Sequence, residues 1–575
     1  MLRTSVNTTL GAQITNPGTT LFVPLFSRHL PRHILTFLLL AMILLISTSY
    51  VQSPKILNKS GLEFFTPASA DSLREYLSDL SVSETPVVHG DESRVFDNVR
   101  KFYQLNDYKP VWTHSRGVSK RASQLLGLIE HAREYGLEPA HYHLAAIQEL
   151  NQQLGLQIPE GVRYLLGAEF EILMTDAAIS LMTNLHKGYT PFDTTLYLRD
   201  WYVQLPTVLL QGFKQENIRG KILSLQPEFV EYVQLQQATE KFIRSGQLTD
   251  QWTEFSYPVK DTVALRRSVK KVLIALGYLG KNSHESDFDK ALMQFQYYHG
   301  LEPDGRCGMN TLDALGQSTL FKYRKLALNL DRLRKLDIQE PTSLYVNIPS
   351  YQLRIFKENN CVDTFRVIVG QPASPTPLLE GVMKTIIANP VWYVPKSITM
   401  NEILPKIKSD TGYLKRNGFR ILDGNYRTVS ETSINMAEVS PENFNYTIRQ
   451  NRGSDNSLGQ VKFVFTNPYS VYLHDTPSKS LFSKDIRAFS HGCIRVEHPE
   501  MLAEYIIHEI NGEKTDITDM IRKGRHYEID ITASLPIYIR YITCEADKDG
   551  NLFFYKDIYG YDRKELEKFI LQMGV

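Results

Sequence analysis

His474 and Cys493 stand 19 positions apart in a chain of 575 residues, and their types and spacing could do nucleophilic chemistry. Cys493 ends a Ser490-His491-Gly492-Cys493 turn and is one of only four cysteines. The thiolate is the reactive form, and a free thiol ionises near about pH 8.5, so it needs help at neutral pH. A histidine within reach supplies that help, as a base or as an imidazolium partner. Tyr472-Leu473-His474 reads as a strand end, and alternation turns Tyr472 and His474 to one face. The loop from Asp475 to Ser490 can then return Cys493 beside His474. The group orienting His474 is a backbone carbonyl or a side chain near Asp475. Gly492 permits a backbone geometry that other residues resist. The amides of Gly492 and Cys493 could therefore aim at a developing oxyanion, where one donor is worth roughly 3–4 kcal/mol. The pair reads as a cysteine acyl-transferase site.

Strands must hold this pair. From Ser343 onward the period changes to short β-rich segments at 344–348, 351–356, 365–369 and 383–388, separated by Gly, Pro or Asn turns. Residues 400–460 are richer in Lys, Asn, Gly and Ser and interrupt the strands, as a lid does. Strands resume at 461–465 and 471–474, a helix is expected over 499–510, and further strands at 537–543 and 552–555. Upstream, residues 261–320 form a small unit: one helical stripe through Leu265, Val269, Val272, Leu273 and Leu276, a second through Phe288, Ala291, Leu292 and Phe295, a Pro303-Asp304-Gly305 turn and a short third helix. The Gly277–Lys281 stretch has the wrong spacing for a phosphate loop. Residues 71–260 read as mainly helical, with Ala122, Leu125, Leu126, Ile129 and Ala132 on one stripe stopped by Gly136. His131, His141 and His143 lie nearby, but without a fourth ligand at good spacing they read as surface or core histidines, not zinc ligands.

The N-terminus differs. Residues 34–46 are apolar apart from Thr36, follow Arg28 and Arg32, and with 47–51 reach marginal spanning length. The reading is an uncleaved anchor over 34–51 behind a cytoplasmic segment (1–33), with everything beyond about residue 52 exported along a polar tether (52–70). A cleaved signal peptide is the rival, because Ala68-Ser69-Ala70 resembles a cleavage signature. Net charge is +1 with pI near 7.7, so no basic field argues for nucleic acid. Cys307, Cys361 and Cys544 show no paired spacing, and they read as buried or incidental thiols.

Several motifs carry a resemblance. Ser490-His491-Gly492-Cys493 with its upstream histidine is similar to the signature of L,D-transpeptidases with a YkuD-like catalytic domain. Arg495, where one common form of the signature has Asn, resembles the large membrane-anchored Gram-negative subgroup. So do Val369-Gly370-Gln371-Pro372 with Thr376-Pro377, Asn389 to Pro395 around Trp392, Ile448-Arg449-Gln450 with Leu458-Gly459, Tyr472 to Pro477, and Asp557-Ile558-Tyr559-Gly560. Leu276-Gly277-Tyr278-Leu279, Phe295-Gln296, His299-Gly300-Leu301, Asp304-Gly305, Gly308 and Thr311-Leu312 resemble the three-helix peptidoglycan-binding module. The resemblance implies a multidomain α+β chain: helical scaffold (71–260), peptidoglycan-binding-like module (261–320), helical connector (321–340), mostly β catalytic domain (341–535, lid about 400–460), and C-terminal strands and helix packing on the scaffold (536–575).

It also implies roles. Cys493 would attack a tetrapeptide stem at the L-centre of diaminopimelate and release D-alanine; a second stem's amine would resolve the thioester into a 3→3 cross-link. His474 would serve as general base and acid, with Gly492, Ser490, His491 and Asp475 supporting the oxyanion and the turn. Tyr472, Arg495, Arg449, Gln450 and Trp392 would meet substrate, although Arg495 could equally form a structural ion pair and Trp392 could pack in a core. Neither metal nor organic cofactor is needed. The implied partners are peptidoglycan stems and glycan, the inner membrane through a single-pass anchor with the catalytic part in the periplasm, and cell-wall synthases. Carbapenems would acylate Cys493. The same thioester could pass to water or to a lipoprotein lysine, and a rival of another class is a non-catalytic wall-binding scaffold.

Overall fold

The computed structural model describes residues 68–573, apart from 82–85, 94, 115–116, 190–197, 247, 337–339, 436–437 and 441–442. The expected anchor at 34–51 lies outside the described residues. Among the described residues no helix is long and apolar enough to cross a membrane. The Ala-Ser-Ala that resembled a cleavage signature starts a helix instead. Ser69 caps Ala70–Leu80 through a capping box with Ser72, and Ala68 is fully buried.

Helices occupy the first half. The longest, Glu160–Lys187, buries residues on nearly every side from Gly167 to Leu185, which marks it as the centre of the helical region. Its fully buried Glu171 accepts hydrogen bonds from the amides of Val111, Trp112 and Thr113 and from the Tyr103 and Thr113 hydroxyls, which supplies the partners a buried carboxylate requires. His143 lies between Asp91 and Asp176, at 3.1 and 3.0 Å; His141 is buried against Tyr189, and exposed His131 pairs with Glu134. Thr262–Ala275, Asp287–Tyr298 and Met309–Leu315 form a separate small core around Leu273, Leu292, Phe295 and Leu315. Buried Gln296 fastens its turn by binding Gly305 N, Asp304 and Thr311.

The later strands build a ten-stranded sheet that closes on itself. Leu379–Ala388 pairs with Pro536–Arg540 through its first residues and with Val461–Phe465 through its last. The remaining order from Val461–Phe465 runs through Leu473–His474, Ile494–Val496, Asn360–Gly370, Gln352–Lys357 and Ser343–Asn347 back to Pro536–Arg540. Leu379–Ala388 is longer than the expected 383–388 because Gly381 is no breaker here. A Cβ at that position would run into the Thr466 carbonyl, so glycine lets two backbones approach. The helix expected over 499–510 is Pro499–Tyr505 followed by a π-helical turn, Ile506–Ile510.

Between these strands lies an α+β insert with its own core of Val394, Ile403, Leu404, Ile407, Leu414, Phe419 and Ile448. Its four strands run Thr428–Val429, Phe419–Leu422, Thr447–Gln450 and Trp392–Tyr393. The insert therefore recruits Trp392–Tyr393 from upstream of 400, because these residues pair with Gln450 and Arg449.

The C-terminal hairpin and helix return to Thr319–Arg334. Buried Asp562 accepts from Arg332 at 2.7 Å and from the Thr543 hydroxyl at 2.6 Å. All four cysteines are free: Cys544 is buried, Cys307 partly so, and Cys361 exposed, which fits the reading of buried or incidental thiols. Removing one partner of a buried ion pair strands the other charge. Asp562→Ala is expected to cost about 3–5 kcal/mol in thermal unfolding, with Asp562→Glu milder.

Candidate active site

Strand pairing brings Cys493 to His474. Ile494–Val496 runs parallel to Leu473–His474, with Ile494 opposite Leu473 and Arg495 opposite His474, and Ile494 N donates to Tyr472 O at 3.1 Å. On the other side, Lys462 of the antiparallel Val461–Phe465 strand is the partner of His474. Lys462, His474 and Arg495 thus form one row across three strands. Tyr472 lies beside it, its ring 5.6 Å from that of His474 and 3.9 Å from the Lys462 ammonium.

The Cys493 turn is fixed from below. Gly492 adopts φ +112°, a conformation that side chains resist. Its carbonyl accepts from the Thr376 hydroxyl at 2.9 Å, and the Thr376 oxygen in turn accepts from Gly370 N at 2.9 Å. Gln371 N donates to Ser490 O at 2.9 Å. Tyr559, far along the chain, donates to Gly370 O at 2.7 Å and accepts from Thr376 N at 3.1 Å. The Ser490 hydroxyl donates to Cys493 O and accepts from Gly492 N at 3.2 Å. Gly492 N is therefore engaged and is not a free oxyanion donor, whereas Cys493 N has no acceptor among the described residues.

His474 is 5% exposed, and its Nδ1 donates to the Asp475 backbone carbonyl at 2.5 Å. That carbonyl is the orienting group, and it leaves Nε2 with a lone pair. The Asp475 carboxylate does other work. It accepts from Gln460 N, Thr476 N and Lys479, and it lies against Gly459, where any Cβ would collide with it. Burial first, then the charges of Arg495 and Lys462, push the His474 pKa down to about 3, against the Asp475 hydrogen bond, which raises it. The imidazole is neutral. Burial raises the Cys493 thiol, opposed by donation from the Tyr472 amide and hydroxyl and by the Lys462 and Arg495 charges. The sulfur also lies 4.0 Å from Ser470 O.

The remaining expected residues separate into three groups. Tyr472 and Trp392 join the site: Trp392 donates to the Tyr472 hydroxyl while packing on the core of the insert. Arg495 joins it with a buried Nε that has no partner, so it does not form the alternative structural ion pair among the described residues. Gln450 is a brace and not a substrate contact, because its amide binds Asn417 O, Asp455 O and Ser457 N. Arg449 points to a separate hollow with Asn451, Arg452 and His526. His491 is half-exposed and pairs with Glu402 of the insert at 2.5 Å. Thr376 and Tyr559 belong to the quoted motifs, yet sequence assigned them no role, since their contacts depend on long-range closure. Lys462 was read only as part of a strand.

Comparison with known proteins follows this geometry. Residues 341–517 match the L,D-transpeptidase catalytic domain family, 97–238 the scaffold domain family and 262–315 the family described as "Putative peptidoglycan binding domain". A Haemophilus influenzae protein described as "Putative L,D-transpeptidase" is 33% identical over 241 residues, 42% of this chain and 48% of that protein. The chain thus spans about half the length of that curated relative. Two solved structures overlap in part: an Ldtfm–avibactam carbamoyl enzyme (10% identity, TM-score 0.18, 36% of this chain and 51% of that one) and an L,D-transpeptidase from Mycobacterium smegmatis (15%, 0.17, 35% and 58%).

Thr376→Val removes two hydrogen bonds beneath the Cys493 turn. It is expected to cost about 1–3 kcal/mol in denaturant unfolding and to slow alkylation of Cys493, while Thr376→Ser keeps both near the parent.

Proposed function

From the premise that residues 341–517 form an L,D-transpeptidase catalytic domain, we propose that the protein is a peptidoglycan L,D-transpeptidase with a Cys493 thioester intermediate. The observation that carries this reading is the neutral, carbonyl-oriented His474 on the strand paired with the one that leaves Cys493 and its glycine turn. The Cys493 sulfur attacks the carbonyl of the L-centre of diaminopimelate in a tetrapeptide stem. The S–C bond forms, the C–N bond to D-alanine breaks, and His474 Nε2 carries the thiol proton to the leaving amine. A second stem's side-chain amine then attacks the thioester and gives up its proton through His474. The C–N bond of a 3→3 cross-link forms as the S–C bond breaks.

The Cys493 amide is the oxyanion donor in this reading. The unpartnered guanidinium of Arg495 takes a substrate carboxylate, for which its planar fork is suited. In this reading Tyr472 and Trp392 flank the bound stem. The 262–315 module and the helical region hold the wall polymer near the site. The apolar run at 34–46 supports an inner-membrane anchor in this reading, with the catalytic part in the periplasm.

The test gives full-length protein in detergent a disaccharide-tetrapeptide containing diaminopimelate and follows product masses. A cross-linked dimer lacking one alanine, absent with Cys493→Ala, is expected. Tripeptide alone would move the assignment to hydrolysis. A parallel carbapenem incubation should add its mass to wild type and to Cys307→Ala but not to Cys493→Ala; an adduct that survives in Cys493→Ala would sink the nucleophile assignment.

A further inference from the structure

We propose that Lys462 is the standing cation that favours the Cys493 thiolate against the pull of burial, in place of an imidazolium on His474. The inference rests on Cys493 as the nucleophile and adds a residue to which neither the motifs nor the comparisons give a role.

The strand register carries it. Lys462 and Arg495 are the two cross-strand partners of His474, one from each neighbouring strand, so the imidazole has a cation on either side. No carboxylate orients it, since its Nδ1 is spent on a backbone carbonyl. A proton arriving on Nε2 would sit buried between two positive charges and would leave readily. The imidazole suits proton transfer and is badly placed to serve as a lasting counter-charge.

Lys462 is well placed for that task. Its ammonium sits 3.9 Å from the centre of the Tyr472 ring, and Tyr472 donates to the Cys493 sulfur through its amide and its hydroxyl. Ammonium, ring and sulfur therefore form one contiguous path. Burial lowers the Lys462 pKa and the Cys493 charge raises it, and no carboxylate acts on it. The charged and titratable groups acting on the sulfur are Lys462, Tyr472 and Arg495, with no acid among them. Arg495 shares the field, but its unpartnered guanidinium is the group left for substrate. Lys462 is thus a positioning residue for charge. When the thiol ionises its proton passes through His474 Nε2, which does not hold it between two cations, and the standing charge facing the sulfur is that of Lys462.

The experiment measures the rate of Cys493 alkylation by iodoacetamide against pH, in the full-length protein without substrate. The Cys493 peptide is followed by mass, so exposed Cys361 does not interfere. Wild type is compared with Lys462→Met, Lys462→Gln and Lys462→Arg, and each variant's fold is checked by its melting curve. The midpoint is expected to rise by about one pH unit in the two neutral variants and to stay near wild type in Lys462→Arg. If Lys462→Met unfolds, Lys462→Gln carries the comparison. An unmoved midpoint in a folded neutral variant would overturn the proposal. So would an equal shift in Lys462→Arg, which would assign Lys462 to packing against Tyr472. Because the readout needs no turnover, its failure is separate from a failure to make cross-linked product.

Discussion

One threonine hydroxyl underlies the whole arrangement. A cysteine on a turn through φ +112° is useful only if the turn stays put, and Thr376 fixes it by binding Gly492 O and Gly370 N together. Glycine makes the turn available at low strain but brings no rigidity of its own. The rigidity comes from the neighbouring strand end, to which Gln371 and Tyr559 are also tied. The closed sheet therefore acts on the chemistry through a few short hydrogen bonds beneath the nucleophile.

Above that turn the electrostatics are set by register. Pairing on both sides of Leu473–His474 puts a lysine and an arginine against a buried histidine. Desolvation and two like charges act in the same direction, and one hydrogen bond to a carbonyl cannot offset them. A shift of one residue in either flanking strand would turn its own cation to the opposite face and leave a different site.

The Cys493 turn, the histidine on its neighbouring strand and the strand-rich character of the later half were legible because they are local. A Ser-His-Gly-Cys turn, alternating strands and helical stripes all lie within short windows. What was not legible depends on closure. Gly381 looks like a break until the Thr466 carbonyl is seen against it. Gln450 and Asp475 look like substrate or catalytic groups until loop backbone takes up their polar atoms. His491 belongs to the signature turn, but its partner Glu402 lies in the insert, some ninety positions upstream. Trp392 was read as either packing or contacting ligand, and it packs on the insert core while donating to Tyr472.

Tyr559 has a consequence for the order in which the molecule is made. A ribosome delivers Cys493 well before Tyr559, and the family match itself ends at residue 517, before the last two strands of the closed sheet and the tyrosine that steadies Gly370. A growing chain therefore holds Cys493 before it holds the support of its turn. The thiol is synthesised early and braced late, so a half-made molecule would carry every signature residue without the tyrosine that steadies its turn.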